Sequence, residues 1–138
     1  MPARDRYHDA AKHALVQDGW TITHDPMQLR WGKKDMYVDL GAERLLGAEK
    51  GSRKIAVEIK SFLSNSEMRD LEVALGQVTL YELVLGRREP DRVLYLAVRE
   101  ETYREVFDEP IGRLMIEAGK VRLVVFDESR EVITRWIP

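Results

Sequence analysis

Asp39, Glu58 and Lys60 are the residues of this chain best suited to do chemistry. Glu58-Ile59-Lys60 ends the apolar run Ile55-Ala56-Val57-Glu58-Ile59-Lys60, and Asp39 lies in a second apolar run upstream. Side chains two residues apart on a strand project from one face. Burying unpaired charge is costly, so a buried charged pair usually has a partner, a metal or a task. Two carboxylates can hold one or two Mg²⁺ ions and leave positions for water and phosphate. Such a metal lowers the pKa of bound water and offsets phosphate charge. A nearby lysine can orient that water and stabilise a pentacovalent transition state. An aspartate followed by Glu-x-Lys on the next strand therefore points to phosphodiester hydrolysis, with the Ile59 carbonyl as a further metal ligand. The competing structural reading is an interstrand salt bridge, Asp39 with Lys60 or Glu58 with Lys54.

The elements that must position these residues are legible from periodicity. Tyr7, Ala10, Ala11, Ala14 and Leu15 predict a helix over 4–18, stopped by Gly19. Trp20 to Thr23 reads as a short strand closed by the turn Asp25-Pro26, and Leu29 to Trp31 as another extended piece. Residues 36–46 read as one strand, with Met36, Val38 and Leu40 on one face and Tyr37, Asp39 and Gly41 on the other. After a turn at Ala48 to Gly51, Lys54 to Phe62 is its hairpin partner. Ile55, Val57 and Ile59 share the core face, leaving Lys54, Ala56, Glu58 and Lys60 opposite. A turn centred between Glu49 and Lys50 sets Asp39 across from Lys60; a shift by one residue sets it across from Glu58. Opposed residues share a face with Cβ atoms about 4.5–5.5 Å apart, so both registers cluster Asp39, Glu58 and Lys60.

Downstream, Ser64 and Glu67 stand at capping-box spacing before a helix running to about Leu85 and ended by Gly86. Met68, Leu71, Leu75, Val78 and Tyr81 or Glu82 mark its stripe. Arg92 to Val98 is almost wholly apolar, as a central strand would be. Residues 100–118 are helical with a break at Glu109-Pro110, and 121–126 with 131–137 form a closing strand pair. The last strand carries Val132, Ile133, Trp136 and Ile137 and would be a sticky edge if exposed, a route to a homodimer or hetero-oligomer. Helices interrupting strands predict one α/β domain over 1–138, a mixed sheet flanked by helices.

Composition narrows the function classes. The 138 residues are 44% hydrophobic and 33% charged, enough for one core. The net charge of -2 gives no global basic field, so nucleic-acid binding must rest on a local patch. Arg30, Lys33 and Lys34 with Trp31 form one such patch, and Lys50, Arg53 and Lys54 flank the hairpin from the other side; these groups could hold phosphates. The absence of cysteine rules out disulfides and thiolate zinc sites and fits the cytoplasm. No apolar window of about 20 residues is present, so no membrane span is expected. Gly47 to Lys54 lacks P-loop spacing.

Several longer strings carry a family resemblance. They are Tyr37-Val38-Asp39-Leu40-Gly41-Ala42-Glu43, Lys54-Ile55-Ala56-Val57-Glu58-Ile59-Lys60-Ser61-Phe62, Asp18-Gly19-Trp20-Thr21-Ile22-Thr23-His24-Asp25-Pro26 and Arg69-Asp70-Leu71-Glu72-x-Ala74-Leu75-Gly76-Gln77, with Arg4-Asp5-x-Tyr7-His8 at the start and Trp136-Ile137-Pro138 at the end. Together they resemble XisH proteins, the fdxN-element excision controlling factors, over essentially the whole chain. The resemblance implies a restriction-endonuclease-like fold of the PD-(D/E)xK type. It also implies a role beside a site-specific recombinase in excising a DNA element, with a small partner protein, XisI.

Carried over by matching residues, Asp39 is the motif aspartate and Glu58 and Lys60 the ExK pair; Val38 stands where the superfamily name has proline. The resemblance adds Gln77, on the helix after the ExK strand, and His8, on the first helix, as candidate site residues. It leaves Lys33, Lys34 and Lys54 as candidate DNA contacts. Asp39 and Glu58 would hold Mg²⁺ or Mn²⁺. Three functional readings follow: a Mg²⁺-dependent endodeoxyribonuclease acting in DNA excision, a non-catalytic recombination accessory that binds DNA or the XisI-like partner, and the nuclease half of a toxin–antitoxin-like pair.

Overall fold

The computed structural model describes residues 5–47 and 51–138; the turn expected around 48–50 lies outside them. Helix α1 (His8–Gln17) is followed by strands β1 (Thr21–His24), β2 (Met27–Trp31), β3 (Lys34–Val38), β4 (Leu40–Gly47) and β5 (Gly51–Ile59). Helix α2 (Glu67–Arg88) leads to β6 (Arg92–Arg99). Then come a short helix α3 (Glu100–Thr102) running into a π-helical turn (Tyr103–Phe107), helix α4 (Pro110–Glu117), and strands β7 (Leu123–Asp127) and β8 (Val132–Ile137).

Six strands form one mixed sheet in the order β1-β4-β5-β6-β7-β8, flanked by helices as expected. β5, β6 and β7 pair in parallel and the outer pairs are antiparallel. β2 and β3 form a separate two-stranded hairpin. Both faces of the sheet are buried. Leu40, Ala42, Ile55, Val57, Ile59, Tyr95, Ala97, Val124 and Phe126 pack toward Ala11, Ala14 and Leu15 of α1. Ala56, Leu94, Leu96, Val98, Leu123 and Val125 pack toward Leu71, Ala74, Val78, Tyr81, Val84 and Leu85 of α2.

The expectation of one strand over 36–46 is corrected here. Val38 packs on the α2 side and Leu40 on the α1 side. Two apolar residues spaced by two can face opposite cores only if the chain breaks between them, and Asp39 sits in a bend joining β3 to β4. β3 then leaves the main sheet and pairs with β2 from Met27↔Val38 to Trp31↔Lys34. The face opposite Ile55, Val57 and Ile59 is likewise not a solvated charged face. Ala56 is fully buried there, in the core beneath α2.

Helix boundaries shift for local reasons. α1 begins at His8, because Asp5 uses its carboxylate before the helix, accepting from Tyr7 N–H at 2.9 Å. The start of α2 is capped by Ser66, whose hydroxyl accepts from Arg69 N–H at 3.1 Å; no Ser64–Glu67 capping box forms. Ser64 Oγ instead donates to Asp70 at 2.7 Å. Gly86 does not end the helix, which continues to Arg88. The α2 stripe holds at Leu71, Val78 and Tyr81, with Ala74, Val84 and Leu85 completing the buried face and Leu75 half-buried against it; Met68 is exposed. The break at Glu109-Pro110 is present, with Pro110 opening α4. β8 is an edge strand of the main sheet.

Candidate active site

Asp39 and Glu58 meet where β5 ends. The β4–β5 ladder runs Leu40↔Val57, Gly41↔Ala56 and Ala42↔Ile55, so one further step sets Asp39 opposite Glu58 rather than Lys60. The bend frees the Asp39 side chain to accept a hydrogen bond from Ile59 N–H at 2.7 Å, and Asp39 N–H donates to Glu58 Oε1 at 3.3 Å. The two carboxylates therefore share one side and one end of the sheet. Lys60 Nζ lies 3.6 Å from Glu58 Oε2. This is the contact that forms; the interstrand pairs Asp39–Lys60 and Glu58–Lys54 do not.

Burial sets the electrostatics. Glu58 is only 5% exposed. Burial first, and the neighbouring Asp39 charge second, push its carboxyl up to about 8 against the pull of Lys60. Burial also raises Asp39, opposed by the Ile59 N–H, by His8, by Glu58 and by Lys60. A hydrogen bond between the two carboxyls favours a proton on Glu58 beside an ionised Asp39. Tyr81 on α2 lies within the same field: burial, then the charges of Glu58 and Asp39, push its hydroxyl up to about 12. Tyr81 is a site neighbour that sequence inspection missed, because it reads there only as an apolar stripe position.

α1 brings His8 into the cluster. His8 is 3% exposed, and its Nδ1 stands 4.0 Å from Asp39 Oδ1. Its Nε2 bonds Asp25 Oδ1 at 2.8 Å, and Lys12 Nζ bonds Asp25 Oδ2 at 2.6 Å. Burial raises the Asp25 carboxyl, but Lys12 and His8 outweigh it and hold the group below its ordinary value. Asp25, legible in the sequence only as part of a turn, is thus the partner that orients His8. Asp5 Oδ2 accepts from Ser61 N–H at 3.0 Å, and Arg99 donates to Ser61 O at 3.0 Å, fixing the chain just after Lys60.

The other candidates fall at varying distances. Gln77 lies on α2 one turn before Tyr81, half-buried, with its Oε1 enclosed and without a hydrogen-bond partner. Lys33 and Lys34 are exposed at the tip of the β2–β3 hairpin, with Trp31 half-exposed beside them. Arg88 stacks on Trp31 at 5.4 Å and donates to Arg30 O at 3.1 Å, pinning that tip to the end of α2. Five extended residues separate Lys34 from Asp39, about 17 Å of strand. Lys54 is four residues back along β5 from Glu58, about 13 Å, and opposes Glu43. The structure does not gather Lys33, Lys34 and Lys54 around the carboxylates.

The buried Glu58 and half-buried Asp39 at a strand end suit a hard divalent cation, which would offset the burial and the Asp39 charge that favour a proton on Glu58. As placed, no three His, Cys, Asp or Glu side chains among the described residues stand close enough together to hold a metal. No described helix is long and apolar enough to cross a membrane.

The fold and the cluster define a mixed α/β protein with Asp39, Glu58 and Lys60 gathered where a central strand ends. A family model described as XisH protein matches residues 1–134, and the chain belongs to the XisH family. It is similar to the crystal structure of an XisH family protein from Nostoc punctiforme PCC 73102, with 41% identity and a TM-score of 0.87 over 97% of this chain and 100% of the other. It is equally similar to that of a fdxN element excision controlling factor protein from Anabaena variabilis, again with 41% identity and a TM-score of 0.87, over 98% and 100%. No curated protein matches.

Proposed function

We propose that the chain is a DNA-processing factor acting in excision of a DNA element, with a Mg²⁺-dependent endonuclease site of the PD-(D/E)xK type at Asp39, Glu58 and Lys60. The excision role is carried over from the Anabaena variabilis relative, which is described as an excision controlling factor. The nuclease reading rests on one observation. Glu58 accepts from Asp39 N–H at 3.3 Å and Asp39 accepts from Ile59 N–H at 2.7 Å, with Lys60 Nζ 3.6 Å from Glu58. Asp39 and Glu58 would hold the cation, which supplies an activated water and offsets phosphate charge. Lys60 would turn from Glu58 to the attacking water or the phosphate. Gln77 would reach the substrate side of the site from α2. The hairpin tip with Lys33 and Lys34, about 17 Å from Asp39, would hold the DNA backbone some five base-pair steps away.

The test is cleavage of plasmid, branched and single-stranded DNA with Mg²⁺ or Mn²⁺, by wild type and Lys60→Ala, with and without an XisI-like partner and the recombinase. Cleavage by wild type that Lys60→Ala loses supports the reading. Wild-type cleavage that never exceeds the Lys60→Ala background overturns it.

A second reading, an accessory acting through a small XisI-like partner, is favoured by the outer face of α2. Val73, Leu80 and Leu83 are 41%, 50% and 66% exposed at helical spacing, an apolar stripe opposite the buried one. Leu80→Glu should abolish co-purification with that partner; unchanged capture overturns this reading.

A further inference from the structure

Among the described residues, Trp31 is the aromatic side chain left most open to water, 50% exposed. Met27 and Leu29, on the same face of β2, are buried in the core beneath α2. Trp31 continues that face, but α2 ends at Arg88 and the core ends with it. A buried tryptophan removes about 150–250 Å² from water, so half of the largest side chain in the hairpin stays uncovered.

The ring is nonetheless held in place. The Arg88 guanidinium stacks 5.4 Å from its centroid, and Arg88 Nη2 donates to Arg30 O at 3.1 Å. β2 and β3 are joined by the two-residue turn Gly32-Lys33, with Gly32 at φ +61°, a tight connection that fixes the tip. Trp31 pairs across the ladder with Lys34. Among the described residues neither Lys33, Lys34 nor Arg88 makes an ion pair, and Asp35, the one acidic residue of the hairpin, is taken by Arg30 at 3.7 Å and Gln28 at 3.3 Å. An exposed ring, stacked on one guanidinium and flanked by unpaired lysines, matches a planar base joined to anionic phosphates. Bases inside a duplex are already stacked on one another, so the ring can receive only an unpaired one.

We propose that Trp31 is a stacking platform for an unpaired base in a single-stranded stretch of DNA, with Arg88 as its support and Lys33 and Lys34 on the flanking phosphates. This rests on the DNA-processing reading above and names the form of its substrate. The platform lies across the ladder from Lys34, about 17 Å of strand from Asp39. That is about five stacked nucleotides at 3.4 Å each, so the unpaired stretch would sit beside the reacting phosphate rather than on it.

The test is binding of the full chain, in chelator, to an oligothymidylate and to a blunt duplex of equal length. Fluorescence anisotropy is run on wild type, Trp31→Ala, Trp31→Phe and Lys34→Ala over a range of salt. Wild type should bind the single strand more tightly than the duplex. Trp31→Ala should weaken single-strand binding about 5- to 150-fold with the salt slope unchanged, and Trp31→Phe should keep most of the affinity. Lys34→Ala should lower the slope by about 0.7. Trp20 is only 3% exposed, so the single strand should quench wild-type tryptophan emission through Trp31, and Trp31→Phe should lose that quench; this reading needs no alanine variant to fold. Duplex binding as tight as single-strand binding, or unchanged affinity in folded Trp31→Ala, overturns the platform and leaves the nuclease reading to its own cleavage test. If Trp31→Ala instead spares DNA binding and abolishes capture of the XisI-like partner or self-association, the tip docks protein and the platform is overturned. Single-strand binding that depends on Trp31 in a protein that never cuts keeps the platform and rejects the nuclease. A wild type that binds no DNA sinks both.

Discussion

Asp39 N–H donates to Glu58 Oε1 at 3.3 Å, so the bend that releases Asp39 from its strand is capped by the carboxyl it faces. Structure and chemistry are coupled through that contact. Changing either residue alters both the strand break and the charge balance of the site.

Glu58 therefore makes stability depend on pH in metal-free protein. Its carboxyl is near 4.5 when unfolded and about 8 when folded, so the native state binds more protons between those values. Its contribution to stability is fully present below pH 4.5 and declines as pH rises toward 8. Urea denaturation in chelator at several pH values across that window should show the decline. Glu58→Gln, which keeps a neutral side chain, should flatten it. A wild-type stability that rises over the window contradicts the burial argument.

Tyr81 reports the same field from α2. Its hydroxyl, pushed up to about 12, should be among the last tyrosines to ionise in an ultraviolet titration, and Tyr81→Phe should remove that step. Glu58→Gln should move it downward, because one of the charges opposing phenolate formation is gone. A step that stays in place in Glu58→Gln would show that Glu58 does not act on Tyr81.

Ser66, not Ser64, caps α2. Ser66→Ala should cost about 1 kcal/mol in chemical denaturation. Ser66→Gly, which keeps a favourable cap backbone, should lose only a few tenths. No loss from either substitution would mean that the hydroxyl bond to Arg69 N–H contributes nothing.

Gly112 in α4 has no room for a side chain: a Cβ there would lie 2.3 Å from both Phe107 Cα and Val106 O. These are backbone atoms of the π-helical turn and cannot rotate away. Gly112→Ala should destabilise by about 3 kcal/mol, read as a lowered denaturation midpoint. Gly76→Ala, where a Cβ meets nothing, should instead be neutral or stabilising by up to about 1 kcal/mol.

Much of the frame was legible because it rests on local periodicity. The apolar run of β6, the α2 segment and the Pro110 break each follow from spacing or backbone chemistry within a few residues. Glu58 and Lys60 share a face by strand parity alone, and Asp39 could be placed near them by counting across a hairpin. The break at Asp39 was not legible, since Met36, Val38 and Leu40 alternate as a continuous strand would. Only the competition of two cores for Val38 and Leu40 bends the chain there.

Sequence by itself determined which residues carry charge into the apolar strands, and the family strings around them determined the membership. Tertiary structure decided the register that pairs Asp39 with Glu58, the burial that holds a proton on Glu58, and the approach of His8 with Asp25 behind it. The reason is range. Periodicity acts over a few residues, whereas His8, Asp25, Asp39 and Glu58 span some fifty positions and meet only because α1 packs against the strands that bear the carboxylates.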